Sequence, residues 1–241
     1  MSRKERIRGR KITRIRKPSW EGNAKHGQGE ALLPVAGGWR VKNERPEEKF
    51  QGDAKRFYSE EGKNYEKSAI RRIQEKLMLR ALQFLELQEG KKILDAGCGT
   101  GIGMKVMEKL GYETTGIDVS EELLEKARDK ELFVKEADMR EIPFENASFD
   151  GIVSISALQW LLSGSKKERE ANVSKVAKEF YRVLGKEGKA IIQFYPKSEE
   201  EMMETAKVFR KSGFGVRIEI ESAGNAKKRK IFLILMKSQK D

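Results

Sequence analysis

The chain has 241 residues and a mass of 27.6 kDa, enough to bury an ordinary α/β core without covalent staples. One cysteine, Cys98, excludes a disulfide framework and a CxxC metal site, and one histidine, His26, excludes a His-clustered metal and disfavours a Ser-His-Asp triad. No apolar run approaches the ~20 residues of a membrane span and the basic start lacks a secretory apolar block, so a cytoplasmic protein is expected.

Lys and Arg number 50 against 38 Asp and Glu, a net charge of +12. Residues 1–45 hold 13 basic and 4 acidic side chains, whereas the other 196 hold 37 and 34. Pro18, Gly22, Gly27, Gly29, Pro34, Gly37 and Gly38 punctuate the basic segment too often for a stable element. The expectation is a disordered basic arm over 1–45 and a folded domain over 46–238. Two readings of the arm stay open: a phosphate-binding segment for nucleic acid, or a start read too far upstream, with Val41 as the alternative.

From about Ser59, Ile70, Ile73, Leu77, Ala81, Leu82 and Leu85 recur at helical spacing. Strands and helices then alternate: strand 91–97, helix 102–110, strand 112–118, a helix from Ser120, strand 132–138, strand 149–155, helix 167–184, strand 189–195 and helix 198–211. Strands 215–221 and 230–236 flank an Ala223-Gly224-Asn225 turn and should pair antiparallel. This pattern predicts an α/β fold with a Rossmann-like, doubly wound seven-stranded sheet, mostly parallel with one antiparallel strand.

Chemistry concentrates where strands end. Asp95-Ala96-Gly97-Cys98-Gly99-Thr100-Gly101 joins the first strand to the next helix, and its glycines let backbone N–H groups approach a ligand. Residue 102 is isoleucine, so the G-x-G-x-x-G dinucleotide pattern is absent. An acid at the head of the turn repels a pyrophosphate and suits a cation such as S-adenosylmethionine. Asp118 closes the second strand, where a carboxylate bonds ribose hydroxyls, or else caps the following helix. Asp138-Met139 closes the third, placed to bond an adenine amine and cover its face, or else to form a polar loop with a core methionine.

These residues resemble class I S-adenosylmethionine-dependent methyltransferases. FDGIVSISALQWL (149–161), IIQFYPKSEEE (191–201), KSGFGV (211–216) and NAKKRKIFLILM (225–236) resemble, more closely, the small-subunit ribosomal-RNA guanine-N7 methyltransferases, the bud-site-selection and Williams–Beuren-region family. RPEEKF (45–50) and FYSEEGKNYEKS (57–68) resemble the start and first helix of those enzymes. The eukaryotic proteins carry a basic C-terminal extension, whereas here the basic segment is N-terminal. The resemblance implies cofactor binding by Tyr65, Asp95, Gly97, Cys98, Gly99, Asp118, Val119, Asp138, Met139 and Ser154. It also implies that Arg71 or Arg72 faces the cofactor. The acceptor pocket is expected from Ser156, Gln159, Trp160, Tyr195 and Pro196, with an aromatic ring stacking on an extruded base. No acid–base residue is expected, because guanine N7 already has a free lone pair.

The implied partners are ribosomal RNA or a pre-ribosomal small subunit, which Lys166-Lys167 and 227–230 suit, and a small zinc-binding activator. The activator would pair with the apolar edge strand Leu132–Val134. Two rival functions stay open: O-methylation of a small carboxylic acid, which the ALQW segment permits, and ribosome assembly in which binding outweighs catalysis.

Overall fold

The computed structural model of the protein describes residues 45–61, 68–225 and 228–237. The expected arm through residue 44, together with His26, Tyr65 and Lys227, lies outside the described residues. The elements in order are α1 (Pro46–Lys49), α2 (Ala54–Glu61), α3 (Ser68–Leu85), β1 (Lys92–Ala96), α4 (Ile102–Lys109), β2 (Glu113–Asp118), α5 (Glu121–Arg128) and β3 (Val134–Glu136). There follow β4 (Phe149–Ile155), a 3₁₀ turn (Leu158–Leu162), α6 (Lys166–Val183), β5 (Leu184–Phe194), α7 (Glu199–Lys211), β6 (Phe214–Glu221) and β7 (Lys230–Lys237).

The seven strands form one sheet in the order β3-β2-β1-β4-β5-β7-β6. β1 to β5 run parallel, and β7 is antiparallel to both β5 and β6, as the 215–236 hairpin predicts. The two faces follow from the strand period of two. Ile93, Val153, Ile191 and Phe232 pack with Leu77, Met78 and Ala81 of α3, Met104 and Met107 of α4, and Leu124 of α5. Their neighbours Leu94, Ile152, Ile192 and Leu233 turn the other way, against Val173, Val176 and Phe180 of α6 and Met202 and Phe209 of α7. The central strands are therefore apolar on both sides, as parallel strands under two helical layers must be. No described helix is long and apolar enough to cross a membrane.

Three boundaries differ from the sequence reading. β5 starts at Leu184, where Leu184 pairs with Phe149, and the register shifts before Gly151 meets Lys189. This bulge lets the Leu184–Gly188 stretch join the strand although its Lys-Glu-Gly pattern reads as a turn. β3 is only three residues long, because Leu132 tucks inward against Gly101 and Ala127 rather than joining a strand. Leu132 and Val134 are buried by this chain itself, and only Phe133, 60% exposed, faces outward.

The third difference is the cover formed by residues 45–61, whose polar composition reads as surface. Arg45 donates from Nη1 to the Tyr195 carbonyl at 2.5 Å and from Nη2 to the Pro196 carbonyl at 3.4 Å. Lys197 pairs with Glu48 at 3.0 Å. Phe57 lies 5.4 Å from the Phe50 ring and 5.1 Å from Trp160, which Tyr58 also approaches at 5.8 Å. These contacts strap α1 and α2 over the carboxyl ends of the central strands.

Candidate functional site

A cavity of about 420 Å³ opens at the carboxyl ends of β1, β2, β3 and β4, where open α/β sheets bind ligands. Of the expected residues, Gly97, Gly99, Asp118, Val119, Asp138, Met139, Ser156 and Trp160 line it.

Asp118 organises the floor. One carboxylate oxygen accepts the Gly99 N–H at 2.9 Å and the other accepts the Ser120 N–H at 3.0 Å. Asp118 thereby takes the backbone bond at the start of α5; Ser120 is the N-cap residue, but its side chain makes no cap bond. Burial raises the Asp118 carboxyl above the ordinary carboxylate value, and the bonds from Ser120, Gly99 and Val119 pull against that shift. Each oxygen keeps acceptor capacity toward the cavity, the chemistry a vicinal diol requires.

Asp138 is partly buried and held by its neighbour. The Arg140 N–H donates to it at 2.8 Å, and the guanidinium adds bonds at 3.0, 3.0 and 2.6 Å. Burial opposes ionisation, but these bonds hold the carboxyl below its ordinary value. Arg140 also reaches Asn172 of α6 at 2.9 Å, and Asn172 donates to the Leu161 carbonyl at 3.3 Å. The loop after β3 and the turn after β4 are thus bridged across the cavity.

Gly97 shapes the wall between them. Its φ is +88°, and an added Cβ would lie 2.4 Å from the Ala157 Cβ. Gly97→Ala combines a left-handed backbone with a clash, and is expected to cost about 2 kcal/mol in thermal unfolding while narrowing the cavity. Ser156, at φ +56°, is a left-handed non-glycine residue at the end of β4, and its hydroxyl donates to Gln193 at 2.8 Å. Backbone conformations of this kind cluster at functional sites.

The remaining expected residues sit elsewhere. Asp95 and Cys98 line a separate hollow beside Gly97. Ser154 is buried with its hydroxyl unpartnered among the described residues. Gln159 donates to the Ser156 carbonyl at 2.8 Å and does not reach the cavity wall. Tyr195 and Pro196 also lie off the wall, and the Tyr195 hydroxyl accepts from Lys230 at 3.1 Å. Arg71 and Arg72, one of which the resemblance implies at the cofactor, both have exposed side chains, Arg71 paired with Glu75, and Gln74 and Met78 are the α3 residues that line the hollow beside the glycine turn. The sequence reading missed Gln51, Asp53, Lys55 and Tyr58 of the cover, and Arg140, all on the cavity wall.

The walls fit an elongated adenosine-bearing cation. The turn has space only where Gly97 lacks a side chain, a buried carboxylate waits at the ends of β2 and β1, and aromatic and thioether surface flanks the opening. Residues 94–192 match a family described as methyltransferase domain. The chain is 33% identical over 190 residues to the Schizosaccharomyces pombe 18S rRNA (guanine-N(7))-methyltransferase bud23, covering 74% of this chain and 70% of that one. It is 32% identical over 203 residues to the Mus musculus 18S rRNA (guanine-N(7))-methyltransferase, covering 80% and 72%. Among solved structures, the complex of the Haloferax volcanii Trm112 methyltransferase activator with a methyltransferase superposes with a TM-score of 0.63 at 16% identity, over 78% of this chain and 99% of that one.

Proposed function

Because the chain belongs to the 18S rRNA (guanine-N(7))-methyltransferase family, we propose that it methylates N7 of a guanine in small-subunit ribosomal RNA. The observation that carries this reading is the one-third identity to those enzymes over about three quarters of this chain. The methyl donor is S-adenosylmethionine, which supplies an electrophilic methyl on a sulfonium, so that the C–S bond breaks as the N–C bond forms and a thioether leaves. Asp118 and Val119 would hold the ribose end, and Asp138 and Met139 the adenine. What remains for the protein is alignment, which is worth several orders of magnitude in rate. Guanine N7 presents a lone pair with no proton to remove. On the acceptor side the wall carries the Trp160 ring and a Ser156 hydroxyl already committed to Gln193, an arrangement for stacking and shape rather than proton transfer.

An activator protein is proposed at the β3 edge, whose outer side no other strand among the described residues occupies and where Phe133 is exposed. The rRNA proposal is tested by transfer of radiolabel from S-adenosylmethionine to immature small subunits, with free carboxylic acids offered in parallel. Label recovered as 7-methylguanine in the rRNA is the expected result. Label confined to the acids would overturn the RNA reading and leave the fold and donor standing.

A further inference from the structure

Where β4 leaves the sheet, Ser156 stands at the meeting of two walls. It lines the cavity, and its neighbour Ala157 fills the space that Gly97 leaves in the glycine turn, so the acceptor wall and the donor turn touch there. Three hydrogen bonds fix this left-handed residue. Its backbone N–H donates to the Gln193 carbonyl at 2.9 Å, its carbonyl accepts from Gln159 Nε2 at 2.8 Å, and its hydroxyl donates to Gln193 Oε1 at 2.8 Å. Two of the three come from one residue of the adjacent strand, β5.

Gln193 is the polar exception in its strand. Ile191, Ile192 and Phe194 around it are apolar and fully buried, and Gln193 is as deeply buried as they are. An amide in that position is costly unless its groups are paired. Its orientation is set from the far side: Nε2 lies 3.3 Å from the Phe194 carbonyl, so reversing the amide would set oxygen against oxygen. Oε1 therefore faces Ser156 and takes the one proton its hydroxyl has. What Ser156 turns to the cavity is lone pairs alone.

That polarity bears on the reaction. A methyl acceptor attacks with its own lone pair: the N–C bond forms as the C–S bond breaks, and the C–S electron pair leaves on the thioether. A hydroxyl free to rotate beside that lone pair would donate to it. The bond would stabilise the bound acceptor and would have to break before attack, and binding of that kind slows the chemical step.

We propose that Gln193 is a positioning residue that keeps the Ser156 hydroxyl proton off the acceptor's lone pair. The inference rests on the methyl-transfer reading above and extends it to a residue outside the cavity wall.

The test is a double-mutant cycle in the radiolabel assay on the full chain, read on whichever acceptor the wild type labels, since a carboxylate also attacks with a lone pair. Gln193→Leu frees the hydroxyl. It is expected to lower kcat about tenfold, the effect of one hydrogen bond, with KM for the acceptor unchanged or lower. In a Ser156→Gly background the left-handed backbone is kept and the hydroxyl is gone. There the same change should alter kcat by less than about twofold. Equal losses in both backgrounds, a raised KM, or an unchanged kcat would overturn the inference, because a merely structural glutamine gives no coupling to the hydroxyl. S-adenosylhomocysteine affinity within a factor of about two of wild type, by calorimetric titration, shows that each variant is folded. Gln193→Met, of nearly the same length, replaces the leucine variant if that binding is lost. A wild-type chain that labels neither small subunits nor carboxylic acids would instead overturn the transferase reading.

Discussion

Asp118→Ala is expected to lower the melting temperature by roughly 10 °C and to abolish S-adenosylhomocysteine binding. The Gly99 and Ser120 N–H groups that its carboxylate accepts are both buried, so truncation leaves two donors without a partner. At about 1–3 kcal/mol each the loss is near 4 kcal/mol, and a domain of this size shifts by about 2–4 °C per kcal/mol. Asp118→Asn, whose amide offers one acceptor and one clashing donor, should fall between the two. Scanning calorimetry with and without ligand measures both effects. A fall of less than about 3 °C would mean that the glycine turn holds its shape without the carboxylate.

Asp95→Asn should move stability in the opposite direction. Asp95 is as deeply buried as Asp118 but accepts no hydrogen bond among the described residues, and burial, reinforced by the Asp118 charge, raises its carboxyl from the ordinary 3.8 to about 7. In the unfolded chain the group ionises near the ordinary value. Between those two values the folded state binds more protons than the unfolded one, so stability falls as pH rises through the window and stays low above it. Three units correspond to about 4 kcal/mol as an upper bound. The asparagine variant should therefore match the wild type near pH 4, exceed it by a few kcal/mol at pH 8, and lose the slope between. Denaturant unfolding across that range reads the difference; parallel curves for the two proteins would show that Asp95 is not the group responsible. S-adenosylhomocysteine affinity should fall in the same variant, separating stability from function.

The glycine turn and the two strand-end acids were legible because their spacing maps directly onto the sheet. An acid at or just past the carboxyl end of a strand stands at that edge in any doubly wound fold, so Asp118, which ends β2, and Asp138, two residues past β3, reach the same cavity. Arg140 was not legible, since its role depends on folding back two residues onto Asp138. Nor was the cover: Gln51, Asp53 and Lys55 have ordinary surface composition, and only the packing of Phe57 and Tyr58 on Trp160 turns them inward. The position of Tyr195 was hidden for a related reason. Its placement at the end of β5 was correct, but Lys230 and the Arg45 tether engage it away from the cavity.

The conformation of Ser156 has a consequence for how the site can diverge. With φ at +56°, the residue tolerates glycine, asparagine or aspartate in place of serine and resists β-branched and bulky side chains. The next residue, Ala157, has its Cβ against the space where Gly97 lacks one, which confines it to small side chains as well. Two consecutive positions of the acceptor wall are thus nearly closed to mutation, Ser156 by its backbone and Ala157 by its contact with the glycine turn. Variation in acceptor preference must enter from the opposite wall, through Asp53, Lys55 and Tyr58, since Gln51, at φ +51°, is restricted as Ser156 is. Drift in this lineage should therefore accumulate in the N-terminal cover, where a change of substrate costs the sheet nothing.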